Sequence, residues 1–262
     1  MRLGIYPHSD TYRRRKKESR EVTDILDVHS HILPKLDDGA STGKMSVEML
    51  RSAAAQGVRR VIATPHYSAF FPNTDPERIR GLCRGLNRKA AKEGIDCRVR
   101  PGQEIMYSEG VLELLDKGEL LTMAGSRYIL FEFDPSAPYS LIYKAVKESV
   151  SEGYSPIMAH VERYQSVREK GKTDELVGQG AYLQMNYRSI GGNWRSSTTR
   201  WCRDMLREEK IHFLGTDMHN MTTRKPEIMP AYEWLKKHLE TDYIRRITRD
   251  NAKMILSDQK IH

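Results

Sequence analysis

Short apolar runs alternate with amphipathic stretches along this chain from residue 24 onward. Seven of the apolar runs have the length and composition of strands: ILDVHSH, VRRVIATPH, CRVRPGQE, RYILFEF, YSPIMAH, AYLQMN and IHFLGTDMH. The amphipathic stretches predict helices at about residues 45–56, 76–93, 108–117, 139–152, 172–179, 197–209 and 227–238. Strands and helices that alternate in this way form parallel sheets through right-handed crossovers. The pattern predicts an α/β fold, a distorted or incomplete TIM-like (β/α)7 barrel.

Length and composition fit one domain of barrel size. The chain has 262 residues, of which 39% are hydrophobic, and no Pro-rich or low-complexity linker divides it. No run approaches the roughly 18 apolar residues that a membrane span needs. The first residues, MRLGIYPHSD, lack the apolar segment of a secretory signal. A cytoplasmic location is therefore the default expectation.

The positive charge is concentrated at the N-terminus. The formal net charge is +8, and residues 1–23, which include RRRKK, hold seven Lys/Arg and three Asp/Glu. Half of the excess thus precedes the predicted barrel. We expect residues 1–23 to be a basic, disordered extension of a domain that spans 24–262. Contact of this extension with nucleic acid or anionic lipid is the alternative, although no DNA partner is expected.

Histidines and carboxylates gather at the ends of the predicted strands. Five of the nine histidines stand there, and two pairs of side chains, in HSH and DMH, are spaced so as to share one strand face. The carboxyl ends of barrel strands converge on one face of the molecule. These residues should therefore meet in one cup, at which the sixth strand presents only Gln184 and Asn186.

Such a cup predicts a site for several metal ions, because so many ionisable groups brought together without metal would be costly. Histidine and carboxylate ligands without thiolate suit manganese, iron, zinc or magnesium. Clustered metals of this kind activate water and clamp phosphoryl groups. Arg163 and Arg224 follow His160 and His219 in the adjoining loops, and guanidinium groups match phosphate oxygens.

The sequence argues against disulfides, thiolate metal sites and a cysteine nucleophile. The three cysteines, Cys83, Cys97 and Cys202, form no CxxC pair, so neither a disulfide framework nor a zinc–thiolate site is expected. A cysteine-based phosphate loop needs arginine six residues after the nucleophile, and Lys, Gln and Glu stand at those positions. A Walker-type loop is absent as well.

The ordered motifs resemble those of a known superfamily. DVHSHILPKLDDGA, IATPHY, PGQEI, ILFEF, AHVERY and GTDMHNMTTR together are similar to the PHP (polymerase and histidinol phosphatase) superfamily, over about residues 24–256. Within it, HSHILP followed by DDGA resembles the bacterial metal-dependent protein-tyrosine phosphatases of capsule and exopolysaccharide operons. The resemblance implies a distorted (β/α)7 barrel, the PHP fold, with two or three divalent ions, most often Mn²⁺, with Zn²⁺, Fe²⁺ or Mg²⁺ as other choices.

Carried over by motif, the resemblance also implies a set of site residues. The implied metal ligands are His29, His31, Asp38, His66, Glu104, Glu132, His160, Asp217 and His219. Arg163 and Arg224 would bind the phosphate, and a metal-bound hydroxide would attack phosphorus in line. Asp37 adjoins Asp38, and either carboxylate is placed to point inward. Val161 stands where the family usually has proline, which puts the rate in question more than the reaction.

The resemblance implies a substrate as well: phosphotyrosine on a protein, such as a bacterial tyrosine autokinase that controls polysaccharide export. Two alternatives stay open, a PHP phosphatase of a small metabolite such as histidinol phosphate, and a non-catalytic nucleic-acid binder that uses the basic extension. Homo-oligomers are possible. In HYSAFFPN, Tyr67, Phe70 and Phe71 are candidates to line a slot for the phosphotyrosine ring, or else to pack on the barrel rim.

Overall fold

The computed structural model describes residues 24–68, 71 and 75–261. The predicted extension, 1–23, and Phe70 lie outside the described residues. In those ranges the strands are β1 to β9 in chain order: Ile25–Asp27, Val58–Ala63, His66–Tyr67, Arg98–Pro101, Glu104–Met106, Tyr128–Glu132, Ser155–Met158, Tyr182–Asn186 and Phe213–Gly215. The α-helices are α1 to α10: Gly43–Ala55, Pro76–Lys92, Val111–Asp116, Tyr139–Ser151, Lys172–Gly178, Tyr187–Gly191, Ser197–Arg207, Met229–His238, Thr241–Arg245 and Asn251–Leu256.

All strand pairs are parallel, and their order closes on itself. One sheet has the order β1–β2–β4 and the other β3–β5–β6–β7–β8–β9. The chain beyond β1 pairs with the chain beyond β9 through a parallel bridge between Ser30 and Met218. His31 N–H also donates to Met218 O over 2.9 Å. These pairings confirm the predicted α/β barrel.

Two of the seven predicted strands are each broken in the middle, which is the distortion of this barrel. VRRVIATPH becomes β2 and β3, separated by Thr64 and Pro65, and CRVRPGQE becomes β4 and β5, separated by Gly102 and Gln103. Proline removes a ladder donor. A Cβ at Gly102 would lie 2.9 Å from Ile62 Cγ2, so the two bends pack closely on each other. The strands that follow the bends carry side chains of the cup.

Helix ends follow local sequence signals. Thr42 accepts the N–H of Met45 at the start of α1, and Asp75 accepts the N–H of Arg78 at the start of α2, where Pro76 is the first helical residue. The seven predicted helices are present with ends that differ by a few residues. The sequence reading missed α6 and the C-terminal α9 and α10. α6 is only five residues long, and the π-helical turn Arg246–Asp250 joins α9 directly to α10.

The apolar side chains form two layers. The larger layer lies between the strands and the surrounding helices. A smaller one takes the alternate residues of the strands, as in β6, where Leu130 belongs to it while Ile129 and Phe131 belong to the outer layer. Ala252 and Ile255 of α10 join this inner layer. In the described residues, no helix has the length and apolar character to cross a membrane.

Candidate metal centre

One cup at the carboxyl ends of the strands holds every side chain that the sequence singled out as a ligand. The nearest N···O distances between its imidazoles and carboxylates run from 2.8 Å, between His160 Nε2 and Glu104 Oε1, to 3.7 Å, between His66 Nε2 and Asp38 Oδ1. Most members are buried, whereas the Asp38 side chain is half exposed at the mouth. The members are His29, His31, Asp38, His66, Glu104, Glu132, His160, Asp217 and His219.

Two imidazole nitrogens face each other at the base of the cup. His29 Nδ1 contacts Gln184 Oε1 at 2.9 Å, and His31 Nδ1 contacts Asp37 Oδ2 at 2.7 Å. Each oxygen only accepts, so each Nδ1 carries the proton and each Nε2 presents a lone pair. The two Nε2 atoms lie 3.3 Å apart. Two lone pairs so close repel each other, and a cation bound beside them would relieve that repulsion.

Glu104 adds a negative oxygen to the same point. Its Oε2 lies 3.0 Å from both His29 Nε2 and His31 Nε2 and 3.3 Å from His66 Nδ1. These contacts lack hydrogen-bond geometry, and the buried oxygen has no other partner among the described residues. An orphaned buried carboxylate oxygen ringed by imidazole nitrogens is costly in a protein without metal. The donor set therefore fits divalent cations, and Glu104 would be one of the residues that hold them.

Potential ligand atoms fall into three overlapping groups, in each of which all atoms lie within 4.8 Å of one another. Glu104 is common to two groups, and so are His31 and His66. Overlap of this kind suits two or three adjacent ions that share ligands. The groups are His29, His31 and Glu104; His66, Glu104 and Glu132; and His31, Asp38, His66 and His219.

The adjacent carboxylates of the 37–38 pair have different surroundings. Asp38 Oδ1 lies 3.3 Å from His219 Nε2 and so faces the cup, where the motif places it. Asp37 instead accepts from the backbone N–H groups of Gly39 and His66, besides its contact with His31. Asp37 thus fixes the ring orientation and tautomer of a candidate ligand, a supporting role that the sequence left undecided.

Other supporting residues were passed over in the sequence. Gln184 Oε1 accepts both from His29 Nδ1 and from the backbone N–H of His160, at 2.9 and 2.7 Å. Asn186 Nδ2 donates to Asp217 Oδ2 at 2.9 Å. The sixth strand thus orients candidate ligands that other parts of the chain carry. The only signal in the sequence was its place in the ring of strands.

Both predicted phosphate-binding arginines lie at the mouth of the cup. Arg163 contacts Asp217 Oδ2, and Arg224 Nη2 donates to Asp217 Oδ1 over 2.7 Å. Their side chains are 38% and 29% exposed, whereas Asp217 is only 4% exposed. The two guanidinium groups therefore come from different loops, converge on one buried carboxylate and stay open to an anion arriving from solvent.

Two cup residues adopt backbone angles that non-glycine residues rarely take. His160 has a φ of 31° and Asp217 a φ of 51°. At His160 the chain leaves β7 and turns directly into the short 3₁₀ helix Val161–Arg163. The strained turn sends the His160 ring into the cup and places Arg163 at its mouth, so the backbone cost is concentrated at the site.

Opposite charges reinforce one another inside the cup. Burial lowers the pKa of His160, but the Glu104 and Glu132 carboxylates outweigh burial and raise it to about 9. Burial and neighbouring Glu104 raise the pKa of Glu132, while the His160 and His66 imidazoles lower it to about 2. For Glu104, the surrounding imidazoles overcome burial and hold the pKa well below its usual range. The ionised carboxylates thus draw positive charge into the cup, which is what a cation site needs.

The three cysteines are buried and do not take part in the cup. Burial raises the pKa of both Cys83 and Cys97 to about 12, and Cys202 is also buried with a raised pKa, so none offers a thiolate.

Phe71 stacks on His66, with ring centroids 5.4 Å apart, and Tyr67 packs against the core. This arrangement places one aromatic ring at the cup and leaves the predicted slot a hypothesis.

Comparisons with known proteins place relatives along nearly the whole chain. The chain is 34% identical over 242 residues to the tyrosine-protein phosphatase YwqE of Bacillus subtilis, covering 90% of this chain and 93% of YwqE. It is 30% identical over 243 residues to the tyrosine-protein phosphatase CpsB of Streptococcus pneumoniae, covering 90% of this chain and all of CpsB.

A solved structure is also similar. It comes from a crystallographic description of YwqE and CpsB as unique metal-dependent tyrosine phosphatases. It has a TM-score of 0.83 and 32% sequence identity, and the match covers 91% of this chain and 96% of the other. The family model for capsular polysaccharide synthesis, CpsB/CapC, matches residues 25–257. The match spans nearly the whole barrel and every residue of the cup, and the chain belongs to the CpsB/CapC family.

Proposed function

We propose that this protein is a metal-dependent phosphatase that hydrolyses phosphotyrosine on proteins. The observation that carries the proposal is the pair of facing His29 and His31 Nε2 atoms with Glu104 Oε2 against both, below two arginines at the mouth. Family membership and the tyrosine phosphatases among its relatives support the same activity. The nine cup residues are proposed as metal ligands, and Arg163 and Arg224 as the phosphate-binding residues.

Divalent ions held in the cup would supply an activated water and neutralise charge on the phosphoryl group. Glu104 and the imidazoles hold those ions, and Asp37 and Gln184 keep the imidazole lone pairs directed at them. We propose Mn²⁺ as the working ion, since the oxygen-rich and nitrogen-rich ligand set without sulfur accommodates it.

The arginines are proposed to act on the phosphoryl group. With Asp217 between them, Arg163 and Arg224 are held a short distance from the ligands and from each other. Their donors can bind the non-bridging oxygens and stabilise charge that grows during in-line displacement. The guanidinium groups would both position the substrate and supply positive charge, because the Asp217 carboxylate that aligns the two groups belongs to the cup.

The physiological substrate is proposed to be a tyrosine-phosphorylated kinase of the polysaccharide export system. The capsular polysaccharide synthesis family supports this assignment. The second candidate, a small phosphate ester such as histidinol phosphate, would use the same cup and the same arginines. No contact described here favours it. Nucleic-acid binding by residues 1–23 would leave the complete ligand set without a purpose.

The direct test is phosphate release by metal-stripped protein after addition of Mn²⁺, Zn²⁺ or Mg²⁺. A tyrosine-phosphorylated peptide and histidinol phosphate are compared side by side. We expect metal-restored hydrolysis of the peptide. Hydrolysis of histidinol phosphate alone would move the protein to metabolism, and hydrolysis of neither substrate would contradict the proposal.

Variants separate the site from the scaffold. His160→Ala and Arg163→Ala are each expected to lower kcat by at least about 100-fold with the fold retained, since the first removes a proposed metal ligand and the second a proposed phosphate-binding group. The matched controls are His238→Ala, on the surface of α8, and Arg59→Ala, which bonds the backbone of Ala54. A folded His160→Ala protein with near-native turnover would refute the site assignment.

A further inference from the structure

An exposed tryptophan stands in the loop that leads from α6 to α7. Trp194 is 63% exposed, the highest value among the exposed large hydrophobic residues of the described chain, and the Arg195 guanidinium lies 5.3 Å from its ring centroid. The loop is held by its own hydrogen bonds. Asn193 Oδ1 accepts from the Arg195 N–H at 3.0 Å, and Arg200 Nη1 donates to Arg195 O at 2.7 Å. An ordered loop that presents an indole to water is typical of a contact anchor.

The charge around Trp194 has one sign. Residues 186–203 contain four arginines and no Asp or Glu. Arg188, Arg195 and Arg200 are exposed, and none of them forms an ion pair among the described residues. Some exposed arginines elsewhere on the described surface, such as Arg51 and Arg207, are instead paired with carboxylates. Unpaired arginines beside an exposed aromatic ring attract an acidic partner.

The segment of this patch follows directly, along the chain, from a residue of the candidate active site. β8 ends at Asn186, whose side chain contacts Asp217, and α6 begins at the next residue. Asn186 N–H and Ser189 Oγ both donate to Glu162 Oε1, at 3.1 and 2.7 Å, and Glu162 directly precedes Arg163. These contacts tie the start of the segment that carries Trp194 to the turn that carries Arg163.

We propose that Trp194, Arg188, Arg195 and Arg200 form a docking surface for the acidic protein segment that carries the phosphotyrosine. The proposal rests on the proposed function and adds a sequence preference to it. Trp194 packs on an apolar or aromatic side chain of the segment, and the arginines contact carboxylates or further phosphates that flank the scissile one. Small phosphate esters, which lack flanking residues, do not reach this surface.

The experiment compares two phosphotyrosyl peptides of equal length, one flanked by glutamates and one by neutral serines, with p-nitrophenyl phosphate as the small substrate. The native protein is expected to hydrolyse the acidic peptide with about tenfold higher kcat/KM, through a lower KM, and to lose this preference in 0.5 M salt. Equal kcat/KM for the two peptides would overturn the docking surface.

Variants locate the preference. Arg195→Glu combined with Arg200→Glu should abolish it, and Trp194→Ala should raise KM for both peptides, while turnover of p-nitrophenyl phosphate stays within about twofold. Arg84→Glu on α2 and Leu141→Ala on α4 are the matched exposed controls. A preference that persists in the double variant refutes the surface even though the phosphatase stands. Failure of the native protein on all three substrates refutes the proposed function instead.

Discussion

Single side chains next to the candidate ligands determine the orientation and tautomer of the imidazoles in the cup. Asp37 illustrates this, because its carboxylate does not face the cup and yet contacts three groups that shape it: the His31 ring and the backbone N–H groups of Gly39 and His66. The arrangement fixes the His31 tautomer that leaves Nε2 free to bind a cation. The DD pair thus divides between one carboxylate in the cup and one that supports it.

Replacement of Asp37 by Asn tests this division. The amide can donate where the carboxylate only accepts, so His31 can adopt the other tautomer and turn Nε2 into a donor. We expect a loss of about 10- to 100-fold in affinity for Mn²⁺, measured by isothermal titration calorimetry on metal-stripped protein. Asp38→Asn should lose a direct contact and weaken binding as well. Unchanged affinity in Asp37→Asn would show that the His31 contact does not matter.

At the scale of elements, the turn after β1 is shaped by close backbone approach. A Cβ on Gly39 would lie 2.2 Å from the His31 carbonyl oxygen and 2.6 Å from His31 Cβ. The turn is closed by Ala40 N–H, which donates to the same oxygen over 3.1 Å. Gly39 therefore lets the segment that carries Asp37 and Asp38 lie directly on the stretch after β1 that carries His31.

Gly39→Ala should accordingly displace this turn, with loss of Mn²⁺ affinity and of at least about 1 kcal/mol in the free energy of unfolding. Gly43→Ala is the matched control, because it opens α1 and its added Cβ would meet only the flexible end of Lys89 at 3.1 Å. It should be neutral or slightly stabilising, since alanine favours helix. Urea unfolding and calorimetry on both variants check the contrast. Equal behaviour of the two variants would argue against the close approach.

The junction of β8 and β9 contains a histidine that the fold keeps neutral. His212 precedes β9, its Nδ1 accepts from the Leu183 N–H at 3.1 Å, and its ring meets the edge of Tyr182. Burial lowers its pKa from 6.5 to about 4. Between those two values the unfolded chain binds more protons than the folded one, so stability falls as the pH drops from about 6.5 toward 4.

His212→Asn should remove this part of the acid sensitivity, because the Asn carbonyl can accept the same N–H and does not titrate. At pH 5 the native histidine costs about 2 kcal/mol relative to neutral pH. Urea unfolding at pH 7 and pH 5 measures the difference for both proteins. The same pH dependence in the two proteins would mean that His212 does not contribute.

Helices and strands were predictable where apolar residues recur with a regular spacing. The site was predictable where side chains of metal-ligand type stand at the strand ends. Seven alternations gave the barrel, and strand-end histidines gave the cup. The breaks after β2 and β4 were not predictable, because they depend on contacts such as Gly102 against Ile62. Gln184 likewise has a common side chain, and its two contacts to His29 and His160 exist only after the strands are ordered in space.

At the scale of the whole molecule, the cup joins parts of the chain that are far apart in sequence. Its candidate ligands come from the loops after β1 and β9 and from β3, β5, β6 and the end of β7. In the bridge that closes the barrel, Ser30 stands between His29 and His31, and Met218 stands between Asp217 and His219. Cations bound there would tie the first strand to the last. The unfolded chain has no such arrangement. The free energy of metal binding should therefore add to the folding free energy of the entire barrel.

Metal should therefore raise the melting temperature of the protein. At a free ion concentration 100 times Kd, binding stabilises the folded state by about 2.7 kcal/mol, and for a domain of this size that corresponds to about 5–10 °C. Differential scanning calorimetry with Mn²⁺ and with a chelator measures the shift. His31→Ala should abolish most of it, whereas His238→Ala should retain it, because His238 bonds only the Trp234 carbonyl and stacks on that ring. If Mn²⁺ did not change the melting temperature of the native protein, the cup would be stabilised by its own ion pairs. That result would contradict the ligand assignment.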